Sequence, residues 1–414
     1  MLSIEEKVYL NMTNDVIHIA LSINDKKGNY SKYTAAAIAS VLKNTDSSVV
    51  VHLLTDDSVT PLLRNKFKEL VDSYNQKIVF YDVTIKEDLS YLSGLKRVSA
   101  ASLYRLRLPD ILNDDIEKVI YLDSDIIVNL DIRELWDISF DDKAVMAVKD
   151  SHSGIIVSGE LEDKGIFNAS DYYNAGVMVW NLKKIRERYD LYNQAMDFFK
   201  LYGEYCNGFT DQHASNYIFK GDVKFLDGRY NVFTADLRGI GEKASEVIYH
   251  FASDKPDMAL EETFDQLFMD VLVSTSWGDP KEIIKYFSRV IKARSIYSEN
   301  LKALLKQIRK KRIVFWGAGS VYLQKIIAMI DIDHEKDYCI DSNSKYWNGY
   351  TNGLKVNSIE WFEKVDKSDV FVIVVSKRYF GEISEQLDKM GLAIGRDYID
   401  GMTMIDGGRR YYEI

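Results

Sequence analysis

The chain has 414 residues, which is too long for one ordinary hydrophobic core and favours two or three domains. A hydrophobic share of 46% and a charged share of 28% are typical of a globular protein, and a formal charge of −10 argues against a nucleic-acid partner. The two cysteines, Cys206 and Cys339, stand far apart in the sequence, which argues against a disulfide framework and a four-cysteine zinc site.

The first two thirds of the chain alternate short β-rich runs with helical segments. Strands are predicted at 16–21, 49–54, 77–83, 119–122, 144–148, 177–180 and 247–250. Helices are predicted at 33–42, 61–74 and 214–219. Apolar strands joined by helices through short turns indicate parallel β-α-β units.

Residues 281–312 differ in character from the rest of the chain. They contain eleven Lys or Arg residues and two acidic ones, so the segment carries +9. Apolar residues recur between these charges at helical spacing, which predicts one or two amphipathic basic helices. One interpretation is a linker helix packed on the preceding domain. The other is salt-sensitive contact with an anionic membrane surface.

The strand–turn–helix pattern restarts at Arg312 and predicts a small α/β domain to the end of the chain. Gly317 and Gly319 follow a predicted strand at 313–316, and Asp341 ends the next strand. This is the context of a dinucleotide fingerprint, although Tyr322 replaces its third glycine. Nucleotide binding, an oxidoreductase activity, dimerisation and partner docking are all open roles for this domain.

Asp123 and Asp125 give the sharpest chemical signal, because they end a buried strand with one residue between them. In open α/β sheets ligands lie beyond the carboxyl ends of strands, and two carboxylates there can hold a divalent cation. An acidic turn is the alternative. His250 and Lys255, which follow another predicted strand, add a candidate metal ligand and a candidate phosphate contact.

Two further motifs complete the set. Asn174 and Gly176 precede a buried strand, and Asp211 and Gln212 precede a predicted helix. Taken alone, the first is an ordinary turn and the second a helix N-cap. In this order and spacing, together with the segment that contains Arg105, the motifs resemble glycosyltransferase family 8 over residues 16–260. This family comprises retaining nucleotide-sugar transferases.

The resemblance implies a GT-A domain, and it assigns roles to the motif residues. Asp123, Asp125 and His250 would hold Mn²⁺ (or Mg²⁺) against the phosphates of a UDP-sugar. The donor would be bound by Asn24, Asp25, Asn29, Arg105, Asp123, Ser124, Asn174, Ala175, Asp211, Gln212 and Lys255. Asn24, Asp25 and Asn29 would face the uridine, and Lys255 would contact the diphosphate.

The same resemblance implies transfer of a hexose, glucose or galactose, to a glycan, glycoprotein or lipid-linked acceptor with an α-linkage. Gln212 is a poor nucleophile, so a front-face substitution is favoured, with Asp211 as the alternative nucleophile. A non-catalytic scaffold or regulatory protein of a cell-surface glycan pathway is the alternative function.

The expected organisation is a GT-A domain at 1–275, a basic helical linker at 276–311 and a Rossmann-like domain at 312–414. The chain begins with no recognisable signal peptide, and its longest apolar run, residues 370–375, is too short to cross a bilayer. We therefore expect a cytoplasmic protein, with membrane contact through 281–312 and a homodimer as further expectations.

Overall fold

A computed structural model describes residues 16–87, 89, 92, 101–157, 160–206, 208–237, 246–252, 263–320, 322–376 and 379–405. The chain forms two compact units, Met1–Pro280 and Lys281–Ile414. Within the described part of the chain, no helix has the length and apolar character needed to cross a membrane. The predicted division at 275/276 and 311/312 stays a prediction.

A seven-stranded sheet forms the centre of the first unit, in the order β3-β2-β1-β4-β7-β6-β8. Its strands are β1 Ile17–Ser22, β2 Val49–Thr55, β3 Lys77–Asp82, β4 Lys118–Leu122, β6 Val145–Lys149, β7 Tyr173–Asn181 and β8 Val223–Phe225. Only β7 runs antiparallel to its neighbours, β4 and β6. The carboxyl ends of β1, β2, β4 and β6 therefore lie at the same edge as the amino end of β7.

The first unit also contains a second, three-stranded sheet. It consists of β5 Ile126–Asn129, β9 Val232–Phe233 and β10 Val247–His250, in the order β5-β10-β9. Antiparallel pairing of β10 with β5 places His250 opposite Ile126, the residue that follows Asp125. Two segments that are far apart in the sequence thus bring their polar ends together.

The helices of the first unit cover both faces of the large sheet. They are Ser31–Lys43, Pro61–Ser73, Ala101–Tyr104, Leu108–Ile111, Arg133–Trp136, Ser153–Ile156, Glu160–Asp163, Leu182–Arg188, Leu191–Tyr202, Thr210–Ile218, Thr234–Leu237 and Thr263–Val273. Ile19 and Leu21 belong to one core and Ala20 to the other, as the two-residue period of a strand requires.

The second unit has a six-stranded sheet in the order β13-β14-β12-β11-β15-β16. Its elements are Pro280–Ile308, β11 Arg312–Trp316, Leu323–Ile327, β12 Tyr338–Ile340, β13 Tyr350–Thr351, β14 Leu354–Asn357, Ile359–Glu363, β15 Val370–Val374, Phe380–Lys389, β16 Tyr398–Asp400 and Met402–Ile405. All pairs are parallel except the β13–β14 hairpin. This is the strand arrangement of a doubly wound fold, as the sequence predicts.

The basic segment forms one long helix, Pro280–Ile308. Ile308 is buried in the core of the second unit, and Leu301, Leu304 and Leu305 pack against that core. This end of the helix therefore packs on the core of the second unit, and packing of the segment on the preceding domain stays a prediction. Leu301, Leu304, Leu305 and Ile308 belong to the fold of the second unit.

Candidate active site

Polar side chains follow four strands at the shared edge of the large sheet. Asn24 and Asp25 follow β1, Asp56 follows β2, Asp123 follows β4 and Asp150 follows β6. The parallel course of these strands forces their carboxyl ends to one edge, which is where open α/β sheets bind ligands. The candidate site is thus a row of polar groups rather than a single motif.

Asp123, Asp125 and His250 form the centre of this row. One ligand atom from each lies within 4.8 Å of the others. His250 Nε2 is 3.6 Å from Asp125 Oδ1 and 3.8 Å from Asp123 Oδ2. Two carboxylate oxygens and an imidazole nitrogen are a donor set that suits Mn²⁺ better than Mg²⁺. The predicted metal ligands are therefore brought together, and they fit the expected ion.

Gly176 leaves room for the His250 ring, because a Cβ at this position would collide with the imidazole. Phe251, the next residue in the chain, donates its backbone N–H to the Asp125 carbonyl oxygen at 2.9 Å. These contacts fix the histidine against the Asp125 turn from two sides. A glycine at this position thus has a steric basis.

Arg105 joins the carboxylate of Asp123 to the carboxylate of Asp211. It is only 3% exposed, and it contacts Asp123 at 2.6 Å and Asp211 at 3.2 Å. Burial lowers the pKa of Arg105, but the two carboxylates outweigh this effect and hold the group in its charged form. Burial also raises the pKa of Asp211, although Arg105 opposes that shift.

Gln212 is held by a network of fully buried partners. Its Oε1 accepts hydrogen bonds from Asn174 Nδ2 at 3.0 Å and from the Ala175 backbone N–H at 3.1 Å. Its Nε2 donates to Asp150 Oδ2 at 3.1 Å. Asp150 therefore orients the Gln212 amide, although it belongs to none of the motifs recognised in the sequence. Its position after a buried strand was the signal that could have identified it.

The β1 and β2 ends form a second polar group on the other side of Asp123. Asn24 donates to Asp56, which also accepts from Tyr104 Oη at 3.0 Å. Burial raises the pKa of Asp56, but hydrogen bonds from Ser58, Tyr104 and Asn24 prevail and lower it overall. The Asp56 carboxylate, also missed in the sequence, anchors the predicted uridine-side residue Asn24.

Asp25 carries a buried acceptor with no hydrogen-bond partner among the residues that the structure describes. Its Oδ1 accepts from the Tyr30 backbone N–H at 2.6 Å, whereas its Oδ2 is buried and unpaired. Buried carboxylate oxygens rarely stay unsatisfied, so this atom is available to a donor group of a ligand. The contact of Asp25 with the uridine stays a prediction.

The structure also describes three other residues that were predicted to bind the sugar donor. Asn29 is exposed in the loop after β1. The Ser124 hydroxyl is turned inward and donates to the Ser22 carbonyl at 2.9 Å, so its hydrogen bond stabilises the fold. Ala175 acts through its backbone, since its carbonyl accepts from Arg105 and its N–H bonds Gln212. Lys255 lies outside the described residues.

The glycine loop of the second unit is occupied by the protein itself. A Cβ on Gly319 would collide with the Tyr346 ring, which lies against the glycine. The Gly319 backbone N–H donates to Asp341 Oδ2 at 3.3 Å. In a dinucleotide site these backbone groups face the pyrophosphate. Here they face Tyr346 and Asp341, which favours a structural role for this loop.

Comparison with known proteins agrees with the site in the first unit. The family model described as "Glycosyl transferase family 8" matches residues 18–256, more than half of the chain. The lipopolysaccharide 1,3-galactosyltransferase of Salmonella typhimurium is 29% identical over 230 residues, which cover 52% of this chain and 64% of that protein. The lipopolysaccharide 1,2-glucosyltransferase of Escherichia coli is 27% identical over 239 residues, covering 55% and 66%.

The match spans less than two thirds of the length of these two relatives, 64% and 66%. A solved structure of galactosyltransferase LgtC, in complex with donor and acceptor sugar analogs, covers 63% of this chain and 96% of its own, with a TM-score of 0.52 at 23% identity. That likeness shows the fold, and the family match covers the residues that form the site. The GT-A fold predicted from the motifs is confirmed, and the chain belongs to glycosyl transferase family 8.

Proposed function

We propose that this protein is a retaining glycosyltransferase that moves a hexose, glucose or galactose, from a UDP-sugar to a glycan, glycoprotein or lipid-linked acceptor with an α-linkage. The carrying observation is the order of groups along the sheet edge. The free oxygen of Asp25 lies at one end, the Asp123–Asp125–His250 cluster in the middle, and Gln212 at the other end. This order matches the order of base, diphosphate and sugar in the donor.

Asp123, Asp125 and His250 would hold Mn²⁺ (or Mg²⁺), which neutralises the charge that develops on the leaving diphosphate. Lys255 is proposed as a further diphosphate contact. The buried Asp25 Oδ2 would accept the ring N–H of the uracil base, the one donor that uracil offers along its pairing edge. Each of these groups contacts the nucleotide, so they contribute to donor binding.

The sugar-side residues support a front-face substitution over a covalent intermediate. Asp211 is bonded to Arg105 and buried, so it is less free to attack than an open carboxylate. Gln212 is fixed by Asn174, Ala175 and Asp150, which gives its amide one orientation. In this proposal the departing phosphate oxygen accepts the proton of the acceptor hydroxyl, and Gln212 stabilises positive charge on the sugar.

A donor screen without acceptor tests this proposal. Purified protein is incubated with UDP-glucose, UDP-galactose and their N-acetyl forms, with Mn²⁺ or EDTA, and released UDP is measured. We expect slow Mn²⁺-dependent release from one donor, and a loss of about 100-fold or more in Asp125→Asn. Asp137→Asn, a change at an exposed carboxylate, is the matched control and keeps full activity.

Two outcomes would count against parts of this proposal. Release of UDP that is unchanged in EDTA would remove the metal from the proposal. UDP binding in a calorimeter, with no release from any donor, would favour the non-catalytic scaffold instead.

The basic helix supports a further proposal, peripheral contact with the inner face of a membrane through 281–312. Ile284 is 64% exposed, Lys302 and Lys306 are exposed on the helix, and Arg309 is exposed directly after it. Each such charge contributes about 1 kcal/mol near an anionic surface, and less at high salt. Co-sedimentation with anionic vesicles should exceed that with neutral ones at low salt, and K306E/R309E should reduce it.

Equal sedimentation with both vesicle types would leave the segment as a structural helix. A cytoplasmic location and a homodimer formed through the second unit belong to the same proposal. Light scattering of the purified full chain tests the dimer, since a mass of one chain at all concentrations would contradict it.

A further inference from the structure

Asn231 lies between the metal-site histidine and the sugar-side amides. It is 7% exposed and directly precedes β9. Its Nδ2 donates to Asn174 Oδ1 at 2.8 Å, and its Oδ1 is 2.9 Å from His250 Nδ1. One buried side chain therefore bonds two groups that are far apart in the sequence. Its role follows from which of its atoms faces which partner.

The backbone settles the orientation of the neighbouring amides. The Gly176 backbone N–H, which can only donate, lies 2.9 Å from Asn174 Oδ1. That atom must therefore be the oxygen of Asn174. Asn231 must then present its NH₂ group to Asn174, because two amide oxygens would repel each other. The Ala175 backbone N–H fixes the Gln212 oxygen by the same reasoning.

The orientation of Asn231 fixes the protonation of His250. With its NH₂ group turned to Asn174, Asn231 presents an oxygen to His250 Nδ1, so this nitrogen carries the hydrogen. The lone pair of the neutral ring is then on Nε2. Nε2 is the atom that faces Asp123 and Asp125. A histidine must be unprotonated at the atom that binds a metal.

We propose that Asn231 is a positioning residue that holds His250 in the Nδ1–H tautomer and aims Nε2 at the metal. The inference rests on the proposed metal site of Asp123, Asp125 and His250. Through Asn174, the same side chain connects this site to the Gln212 amide. Outer partners of metal-bound histidines commonly act in this way, and their loss weakens metal binding by about 10- to 100-fold.

Two substitutions of Asn231 separate its contacts. Asn231→Leu has a similar volume but loses both bonds, whereas Asn231→Asp keeps an acceptor for His250 and loses the donor to Asn174. Binding of Mn²⁺ to the metal-free full chain is titrated by electron paramagnetic resonance of the free ion. We expect Asn231→Leu to bind about 10- to 100-fold more weakly, and Asn231→Asp to stay within about threefold of wild type.

Asn231→Asp should nevertheless release UDP from the donor more slowly at saturating Mn²⁺, because Asn174 Oδ1 has lost the hydrogen bond that Asn231 Nδ2 donates to it. Asn181→Leu is the matched control. This asparagine lies at the far end of β7, where it caps the helix Leu182–Arg188 through the Lys184 N–H. The change should lower stability and leave Mn²⁺ affinity unchanged.

Nuclear magnetic resonance of the wild-type protein tests the tautomer without any change at Asn231. The ring ¹⁵N signals of His250 are identified by their loss in His250→Gln. We expect the neutral ring in the metal-free protein to carry its proton on Nδ1. A neutral ring with its proton on Nε2 would overturn the proposal even if Asn231→Leu does not fold.

Mn²⁺ affinity of a folded Asn231→Leu equal to that of wild type would also overturn it. Failure of the wild-type protein to bind Mn²⁺ would instead count against the metal site of the proposed function. The two failures are therefore distinguishable.

Discussion

Arg105 shows at the level of one residue why the site must be built as a unit. A buried guanidinium is costly unless its donors and charge are matched. Here Nε contacts the Ser102 carbonyl and Asp211, while the other two nitrogens reach the Ala175 carbonyl and Asp123. The ring of Tyr121 lies 4.2 Å from the guanidinium carbon. Arg105 in turn supplies a hydrogen-bond donor or an ion-pair partner to each of these oxygen atoms.

Replacement of Arg105 should therefore destabilise the fold strongly. Arg105→Leu leaves the buried Asp211 carboxylate and the half-buried Asp123 carboxylate without their cation, and we expect it to lower the free energy of unfolding by about 3–5 kcal/mol. Arg105→Lys keeps the charge but loses the planar fork, so its loss should be smaller. Urea unfolding followed by circular dichroism measures both.

Lys183→Leu serves as the control, because it removes an exposed ion pair with Glu117 and should leave the unfolding midpoint unchanged. An unfolding midpoint for Arg105→Leu close to that of wild type would show that Arg105 does not hold the site together.

Gln212→Ala should affect turnover much more than nucleotide binding. The amide contacts the sugar-side groups Asn174 and Asp150, whereas the proposed base contact is at Asp25. We expect kcat for UDP release to fall about 100-fold, as for loss of one preorganised polar group, and the Kd for UDP to stay within about twofold. A near-normal kcat would move the sugar-stabilising role to Asp211.

The sequence allows residues to be grouped when they lie close together along the chain. Asp123 and Asp125 are neighbours in sequence, so their strand position was enough to pair them. Asp150, Asp56 and Asn231 were not given a role, because each of them bonds a side chain that lies 19 to 62 residues away in the sequence. A lone polar residue after a strand does not reveal which side chain it will bond.

The helix Thr210–Ile218 shows a difference at the level of an element. The sequence predicts a start near Ala214, with Thr210 or Asp211 as a cap. The helix instead begins at Thr210, after Phe209, whose side chain makes no capping bond. Asp211 therefore lies in the first turn, where a carboxylate is favoured by the helix dipole. Gln212 is thereby turned inward to Asn174 and Ala175.

Three neighbouring strands carry a buried polar ladder away from the site. His18 Nδ1 lies 2.9 Å from His52 Nε2, and His52 Nδ1 lies 3.0 Å from Tyr81 Oη. Burial, with a smaller effect of His18, lowers the pKa of His52 to about 3. His52 therefore stays neutral in the folded protein at a pH where the unfolded chain is protonated.

The low pKa of His52 predicts that the free energy of unfolding decreases in acid. Between pH 6.5 and about 3 the unfolded state binds the proton and the folded state does not, so stability falls as the pH falls. At pH 5 the cost is about 2 kcal/mol relative to neutral pH. His52→Gln should reduce this pH dependence, measured by urea unfolding at pH 5 and 7.

His334→Gln, a change at an exposed histidine, should leave the pH dependence as in wild type. An unaltered difference between pH 5 and 7 in His52→Gln would contradict the assignment of the acid limit to this ladder.

At the level of the whole molecule, the fold could be predicted further than the site. Strand–helix alternation was enough to predict the α/β class, and every predicted strand of the first unit is present within one or two residues, except that β7 is longer and begins at Tyr173. The antiparallel insertion of β7 and the second sheet were not predicted, because strand order depends on tertiary packing. That second sheet is what brings His250 to Asp125.

The second unit shows the limit of motif reasoning on the same scale. Its sheet order agrees with a doubly wound fold, yet Gly319 contacts Tyr346 and Asp341. The sequence reveals the spacing of the glycines, but it does not reveal which side chains contact the loop in the folded protein. Fold and ligand binding are therefore separate conclusions for this unit.

The proposed activity is metal-dependent transfer of the donor sugar with retention. It is tested most directly by proton magnetic resonance of the hexose released from UDP-α-glucose or UDP-α-galactose in Mn²⁺, recorded before the anomers equilibrate. We expect the α-anomer to form first and Asp125→Asn to release none above background. A β-anomer as the first product, or equal release by Asp125→Asn, would contradict it.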